Sequence, residues 1–220
     1  MPKQVVQEFK EDFIFISTDD LRQDHPAYEQ LQKDPETVQN AANLVNPYAS
    51  AWTERLIKHC IETQYNLIID STLGENIKAV YDTIDMFRNN NYQVHLRVMA
   101  VPAIVSKLSI FLRYETQLAK EGFARWTRME DHDDRFNNLK PNLLEIEKIK
   151  KTNSVKFFER VLEISGTSQL RYLEDFEIEN LENNEVNNEE IFFIRQMAGR
   201  VRNLIMNRGG DMSEFEKLKI

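Results

Sequence analysis

Three short apolar runs, Phe13–Ser17 (FIFIS), Tyr65–Asp70 (YNLIID) and Val94–Val101 (VHLRVMAV), alternate with stretches of helical period. That alternation constrains the fold more than any other feature of the chain. Runs this short, rich in β-branched residues, suit strands covered on both faces. Between the first two lies a predicted helix, Pro47–Thr63, with Trp52, Leu56, Ile57, Cys60 and Ile61 along one stripe. Asn46 and Pro47 are the residue types expected at an N-cap and a first helical position. Ile77–Arg88 follows the second run, with Val80, Ile84 and Phe87 inward. After the third, Ala103–Lys120 carries Ile104, Val105, Leu108, Phe111, Leu112 and Leu118 at helical spacing, and Gly122 stops it. Strand, helix, strand, helix in this order predicts an α/β fold: a mostly parallel sheet with helices on both faces.

The remainder is less periodic. Pro2–Lys10 suits a short helix, and Asn142–Lys151 a charged one that begins after Pro141. Val161–Ser165 and Leu170–Leu173 flank Gly166-Thr167-Ser168-Gln169, which reads as a hairpin. Asp175–Glu190 is acidic and Asn-rich, a predicted linker. Ile191–Met206 reads as a helix, and the charged end after Gly209-Gly210 as frayed. The expected organisation is a core over residues 1–150, a terminal strand or hairpin of that core over 151–174, and an acidic linker with a helical C-terminal tail over 175–220.

Charge and composition exclude some classes of function. A net charge of −8 argues against wholesale binding to nucleic acid or to an anionic membrane. The single cysteine, Cys60, allows no internal disulfide and fits a reducing compartment. No apolar run reaches the roughly 18 residues of a membrane span, and MPKQVVQEFKEDF has no signal-peptide core. The expectation is a soluble, cytoplasmic protein.

In parallel α/β sheets ligands bind beyond the carboxyl ends of the strands. Asp19 and Asp70 both fall there, where an acid can accept a proton, bind a metal or cap a helix. On a helical wheel Arg113 lies opposite the apolar stripe, which by itself describes surface charge. Arg125 follows in a loop beside Trp126 and Arg128. Glu115 falls within the apolar stripe, a position that calls for a buried partner such as an arginine. His25 and His132 have no second His or Cys at ligand spacing, so no metal site is predicted and both read as turn or packing residues.

Several motifs in order make the chain resemble the zeta toxins, kinases of toxin–antitoxin pairs. They are Ile16 and Asp19 followed by Arg22, Gln23, His25, Pro26 and Tyr28; Tyr48–Glu54; Tyr65–Thr72; Val98–Pro102; Arg113-Tyr114-Glu115; and Ala124-Arg125 followed by His132-Asp133. The resemblance spans about Phe13 to Leu144. It implies a three-layer P-loop-kinase-like fold and transfer of phosphate from ATP, with Mg²⁺, to the sugar of UDP-N-acetylglucosamine. On that resemblance Asp19 is the general base, Glu54, Asp70, Thr72 and Thr83 lie on the sugar-nucleotide side, and Arg113 and Arg125 neutralise the transferring phosphate. The division is physically sensible, since phosphoryl transfer needs fixed positive charge and an oriented hydroxyl more than covalent help.

The sequence also departs from the pattern. Zeta toxins carry a first strand and then G-x-x-x-x-G-K-[ST], whose amides and lysine hold the phosphates. No such motif occurs here, and Met1–Asp12 matches the helix that would follow it. The expected sheet therefore lacks its central strand, and ATP lacks its phosphate loop. Asp70 stands where the family has Glu, and Gly74 near its usual arginine. Three readings stay open: a kinase lacking its N-terminal part, a non-catalytic relative that binds a sugar nucleotide or an antitoxin-type protein, and another P-loop phosphotransferase of similar layout.

Overall fold

The structure, a computed structural model, describes residues 12–74, 76–162, 168–181, 186 and 188–220. The helix expected over Pro2–Lys10 lies outside them. The described residues form a mixed α/β fold. Its strands are β1 (Ile14–Ser17), β2 (Leu67–Asp70), β3 (His95–Met99), β4 (Ser154–Leu162) and β5 (Ser168–Leu173). Its helices are α1 (Thr18–Leu21), α2 (Tyr28–Lys33), α3 (Ala41–Thr63), α4 (Ile77–Asn89), α5 (Ala103–Glu121), α6 (Met129–Ile149), α7 (Asn188–Asn207) and α8 (Ser213–Glu216). No helix among them is long and apolar enough to cross a membrane.

Two sheets form among the described residues. β1 and β2 pair in parallel, with Ile14 opposite Leu67 and Ser17 opposite Asp70. β3, β4 and β5 form the other, with β4 and β5 antiparallel from Phe157↔Leu173 to Leu162↔Ser168. The hairpin-like segment is thus a strand pair.

The chain separates into two units, one of Met1–Arg97 with Asn137–Lys156, the other of Val98–Phe136 with Phe157–Ile220. In the first, Ile16, Val45, Ala49, Cys60, Ile84, Phe87, Leu143 and Ile146 are buried. In the second, Val105, Leu108 and Phe111 of α5 close a core with Ile194, Met197, Ala198, Val201 and Ile205 of α7 and Phe215 of α8. The spacing of the α5 and α7 residues is the 3.6-residue period read from the sequence.

Three boundaries differ from the sequence reading. Asn46 is not an N-cap: α3 starts at Ala41 and carries Pro47 inside it. Proline there removes the N–H that would bond the Asn43 carbonyl, but Asn43 is exposed and water can serve it. Likewise α6 begins at Met129 and runs through Pro141, which lacks the N–H that would donate to the carbonyl of exposed Asn137. The C-terminal end is not frayed, because α8 buries Phe215 to 4% exposure and stands it edge-on against Phe111 at 5.5 Å.

Candidate functional site

The β1–β2 register brings the two strand-end acids to one edge of their sheet. Asp70 closes β2 opposite Ser17, and Asp19 lies two residues beyond Ser17 in α1. Ser17, not Asp19, caps this turn: its Oγ accepts the Asp20 N–H at 3.3 Å. The Asp19 carboxylate instead accepts from Arg22 Nη1, while Arg22 Nη2 donates to Asn46 Oδ1 of α3 at 2.6 Å. Arg22 Nε is buried with no acceptor among the described residues, a donor left open beside Asp19. One turn of helix and one arginine thus hold the acid against α3.

Other motif residues meet on the same helix. The hydroxyls of Thr18 and Thr53 lie 2.9 Å apart, and His25 stacks at a tilt on Tyr48, with centroids 4.9 Å apart. Two of the stretches of the first unit that carry the resemblance, Asp19–Tyr28 and Tyr48–Glu54, therefore form one surface. Glu54 is exposed on α3 and Thr83 is exposed on α4. Both line an open groove of about 570 Å³, together with Ile57, Lys58, Ile61, Glu62, Asp82, Met86 and Asn90. Its carboxylates outnumber its one ammonium, so the groove suits hydroxyl or amide donors better than phosphate. Glu62 faces Lys58 at 3.9 Å and Asp82 bonds Lys78 at 2.6 Å. The Thr83 hydroxyl donates to the Ala79 carbonyl at 2.9 Å, which leaves its lone pairs for a ligand. Asp70 and Thr72 are exposed at the end of β2 and do not line this groove. The loop that carries Thr72 is tied down by Asn142 of α6, whose Nδ2 donates to the Leu73 carbonyl at 2.6 Å. Nothing in the local sequence signalled that tie.

The second unit carries both arginines. Arg113 lies on the exposed side of α5, as its periodicity predicts, and its Nη2 donates to Thr127 Oγ1 at 3.0 Å. Gly122, at φ +78°, ends α5 and starts the short segment that bears Arg125. Along that segment the Arg125 N–H donates to Gln117 Oε1 at 3.3 Å, and Trp126 meets Tyr114 edge-on at 5.1 Å and Phe111 at 5.3 Å. Its far end is pinned too. His132 is buried, stacked on Phe136, with Nε2 2.9 Å from Ser106 Oγ and Nδ1 2.9 Å from Asp133 Oδ1. Lys107 Nζ reaches Asp133 Oδ1 at 2.7 Å. The Ser106–His132–Asp133 order is that of a nucleophilic triad, yet here Lys107 neutralises the aspartate. The cluster ties α6 to α5.

Charge shifts follow these contacts. Burial alone pushes the Asp133 carboxyl up, but bonds from Lys107 and His132 outweigh it and leave it below the usual range. Asp131 is held low by hydrogen bonds from Arg128. Burial raises the Tyr114 phenol, partly offset by Arg208. Among the described residues no group of three or more His, Cys, Asp or Glu side chains is placed to hold a metal ion.

The zeta toxin family model matches residues 2–167. The chain is 31% identical to the zeta toxins of Enterococcus hirae and Streptococcus pyogenes over 157 residues, 71% of this chain and 54% of each relative. It is 28% identical to the toxin PezT of Streptococcus pneumoniae serotype 4 over 155 residues, 70% of this chain and 60% of that one. The chain spans about half the length of the zeta toxins it matches. A solved structure from work on the PezAT chromosomal toxin–antitoxin system of Streptococcus pneumoniae superposes with a TM-score of 0.73, at 20% identity, over 92% of this chain and 80% of that one.

Proposed function

The chain belongs to the zeta toxin family, and from that premise we propose that it carries the acceptor side and the arginine pair of a sugar-nucleotide kinase. The acceptor is UDP-N-acetylglucosamine or a close analogue. The observation that most supports this reading is the groove that brings Glu54 and Thr83 to one surface, on the helix that also anchors Arg22 and, through it, Asp19. Glu54, Asp70, Thr72 and Thr83 hold the sugar nucleotide. Asp19 takes the proton of the attacking hydroxyl, and Arg113 and Arg125 stabilise the negative charge on the phosphoryl oxygens.

ATP and Mg²⁺ belong to that reaction, but their phosphate cradle, a run of backbone amides and a lysine, has no counterpart in this sequence. By itself the chain is therefore expected to bind the sugar nucleotide and to transfer nothing. The match to the zeta toxin family and the likeness to a solved structure from work on a toxin–antitoxin system support an antitoxin-type protein as its partner.

A thermal-shift titration tests the proposal. UDP-N-acetylglucosamine at 100 times its Kd stabilises a one-site binder by about 2.7 kcal/mol. Glu54→Ala and Thr72→Ala are expected to abolish the shift. No shift for the parent chain at millimolar ligand would sink the sugar-nucleotide assignment. Phosphorylation by the chain alone, lost in Asp19→Asn, would show the expectation of no transfer to be wrong.

A further inference from the structure

Residues after 173 lie beyond the family match, which ends at residue 167, yet they contact α5, the helix that bears Arg113, at several points. We propose that the C-terminal pair α7–α8 is a positioning brace that fixes Arg113 and Arg125, with Arg208, Glu115, Phe215 and Trp126 as positioning residues. The proposal rests on the reading of those two arginines as the phosphate-neutralising pair.

Arg208 follows α7, and its Nε and Nη2 donate to the two carboxylate oxygens of Glu115, at 2.7 Å each. Glu115 is two residues from Arg113 on α5 and 3% exposed. A core that needed only cohesion would place an apolar side chain there, since a buried carboxylate must be offset by its partner. A bidentate pair adds direction: it sets how α5 is rotated and how far it slides against the end of α7. The backbone is shaped for it. Gly209 has φ +67°, and the Gly210 N–H closes onto the Ile205 carbonyl at 2.9 Å. A Cβ on Gly210 would stand 2.2 Å from Arg208 Nη1, so that guanidinium occupies the space of a missing side chain.

The second line of contact is aromatic. Phe215 of α8 meets Phe111, Phe111 meets Trp126, and Trp126 also packs on Tyr114; each contact is edge-on. Trp126 is the residue after Arg125. Arg208 and Phe215 therefore act on the two places that carry the arginines: α5 around Arg113 and the segment after Gly122 around Arg125. Charge stabilisation in phosphoryl transfer depends on donors fixed in advance, within about half an ångström. α7 and α8 supply that fixation here.

The test uses the full chain with Arg208→Met, Arg208→Lys and Gly210→Ala, the last of which displaces the guanidinium without deleting it. Amide exchange is read over 123–128 and, as internal control, over 139–149 of α6. The brace predicts that exchange over 123–128 rises about tenfold in Arg208→Met and in Gly210→Ala and only partly in Arg208→Lys, with the control unchanged. Unchanged exchange over 123–128, or an equal rise in both regions, overturns it. If Arg208→Met does not fold, Gly210→Ala decides alone. In a Trp52→Phe background, 5-fluorotryptophan at position 126 should report tripolyphosphate binding, lost in Arg113→Met/Arg125→Met. Failure of the parent chain to bind tripolyphosphate refutes the phosphate role of the arginines, whereas the exchange result stands or falls separately.

Discussion

The two sets of candidate site residues are held in different ways. Glu54, Asp70, Thr72 and Thr83 are all exposed, and the acid among the proposed catalytic residues, Asp19, pairs with Arg22. Arg113 and Arg125 lie in a unit where the segment between α5 and α6 is bonded at Gln117 and Thr127, pinned at His132 and packed on aromatic rings. The contrast fits the chemistry proposed for each. A sugar brings its own hydroxyls and can be met by side chains that adjust as it arrives. A phosphoryl group in transfer gains most from positive charge already in place, because reorganising that charge during reaction raises the barrier.

Stability measurements can break this contrast, and Arg208→Met should have the largest effect. It strands Glu115, only 3% exposed, without a partner. Stranding one member of a fully buried pair costs about 3–5 kcal/mol; since Arg208 is itself 38% exposed, a loss of about 2–3 kcal/mol is expected in urea unfolding. The reverse change, Glu115→Gln, leaves a half-exposed guanidinium that water can serve and should cost less. Asp19→Asn leaves Arg22, 14% exposed, with the amide oxygen of the new side chain and Asn46 as acceptors in place of a carboxylate that is itself 45% exposed, and a loss of about 1 kcal/mol is expected. Equal losses in Arg208→Met and Asp19→Asn would mean that the two halves are fixed alike.

Legibility from sequence followed the range of the contact. Strands β1, β2 and β3, and the cores of α4 and α5, were readable because period and run length are local. Glu115 was readable as a buried acid in need of an arginine, but Arg208 lies 93 residues away, and nothing local selects it from the other arginines. Asn46-Pro47 misled for the same reason. Its dipeptide matches a helix start, while Asn46 serves as acceptor for Arg22, 24 residues earlier. Arg113 is as exposed as its place on the wheel implied, so its proposed task came from resemblance and not from periodicity. The groove that joins Glu54 to Thr83 was hidden because each residue alone is an ordinary helix-surface side chain.

Gly122 gives a smaller test of the same contrast. Its φ of +78° suits glycine, and an added Cβ would find nothing within 4 Å, so only backbone strain opposes alanine there. Gly122→Ala should cost about 1 kcal/mol. If the segment after α5 is held as firmly as its contacts indicate, the tripolyphosphate response should survive the substitution. A response lost while the fold persists would place the fixation in the turn and not in the packing around Trp126.

The smallest effect concerns pH. The Asp133 carboxyl titrates below its unfolded value, because Lys107 and His132 outweigh its burial. Its stabilisation is therefore complete above about pH 4 and is lost as pH falls through the depressed folded value. Asp133 is 45% exposed, so solvent screens the interaction and the contribution is on the order of 0.5 kcal/mol. Asp133→Asn should flatten this part of the acid limb of an unfolding curve and leave the plateau at neutral pH lower by that amount. Asp131, held low by Arg128 just ahead of α6, contributes with the same sign and remains in the variant. An acid limb unaltered in Asp133→Asn would assign the pinning of α6 to the Ser106–His132 bond alone, since that bond does not require the aspartate to be ionised.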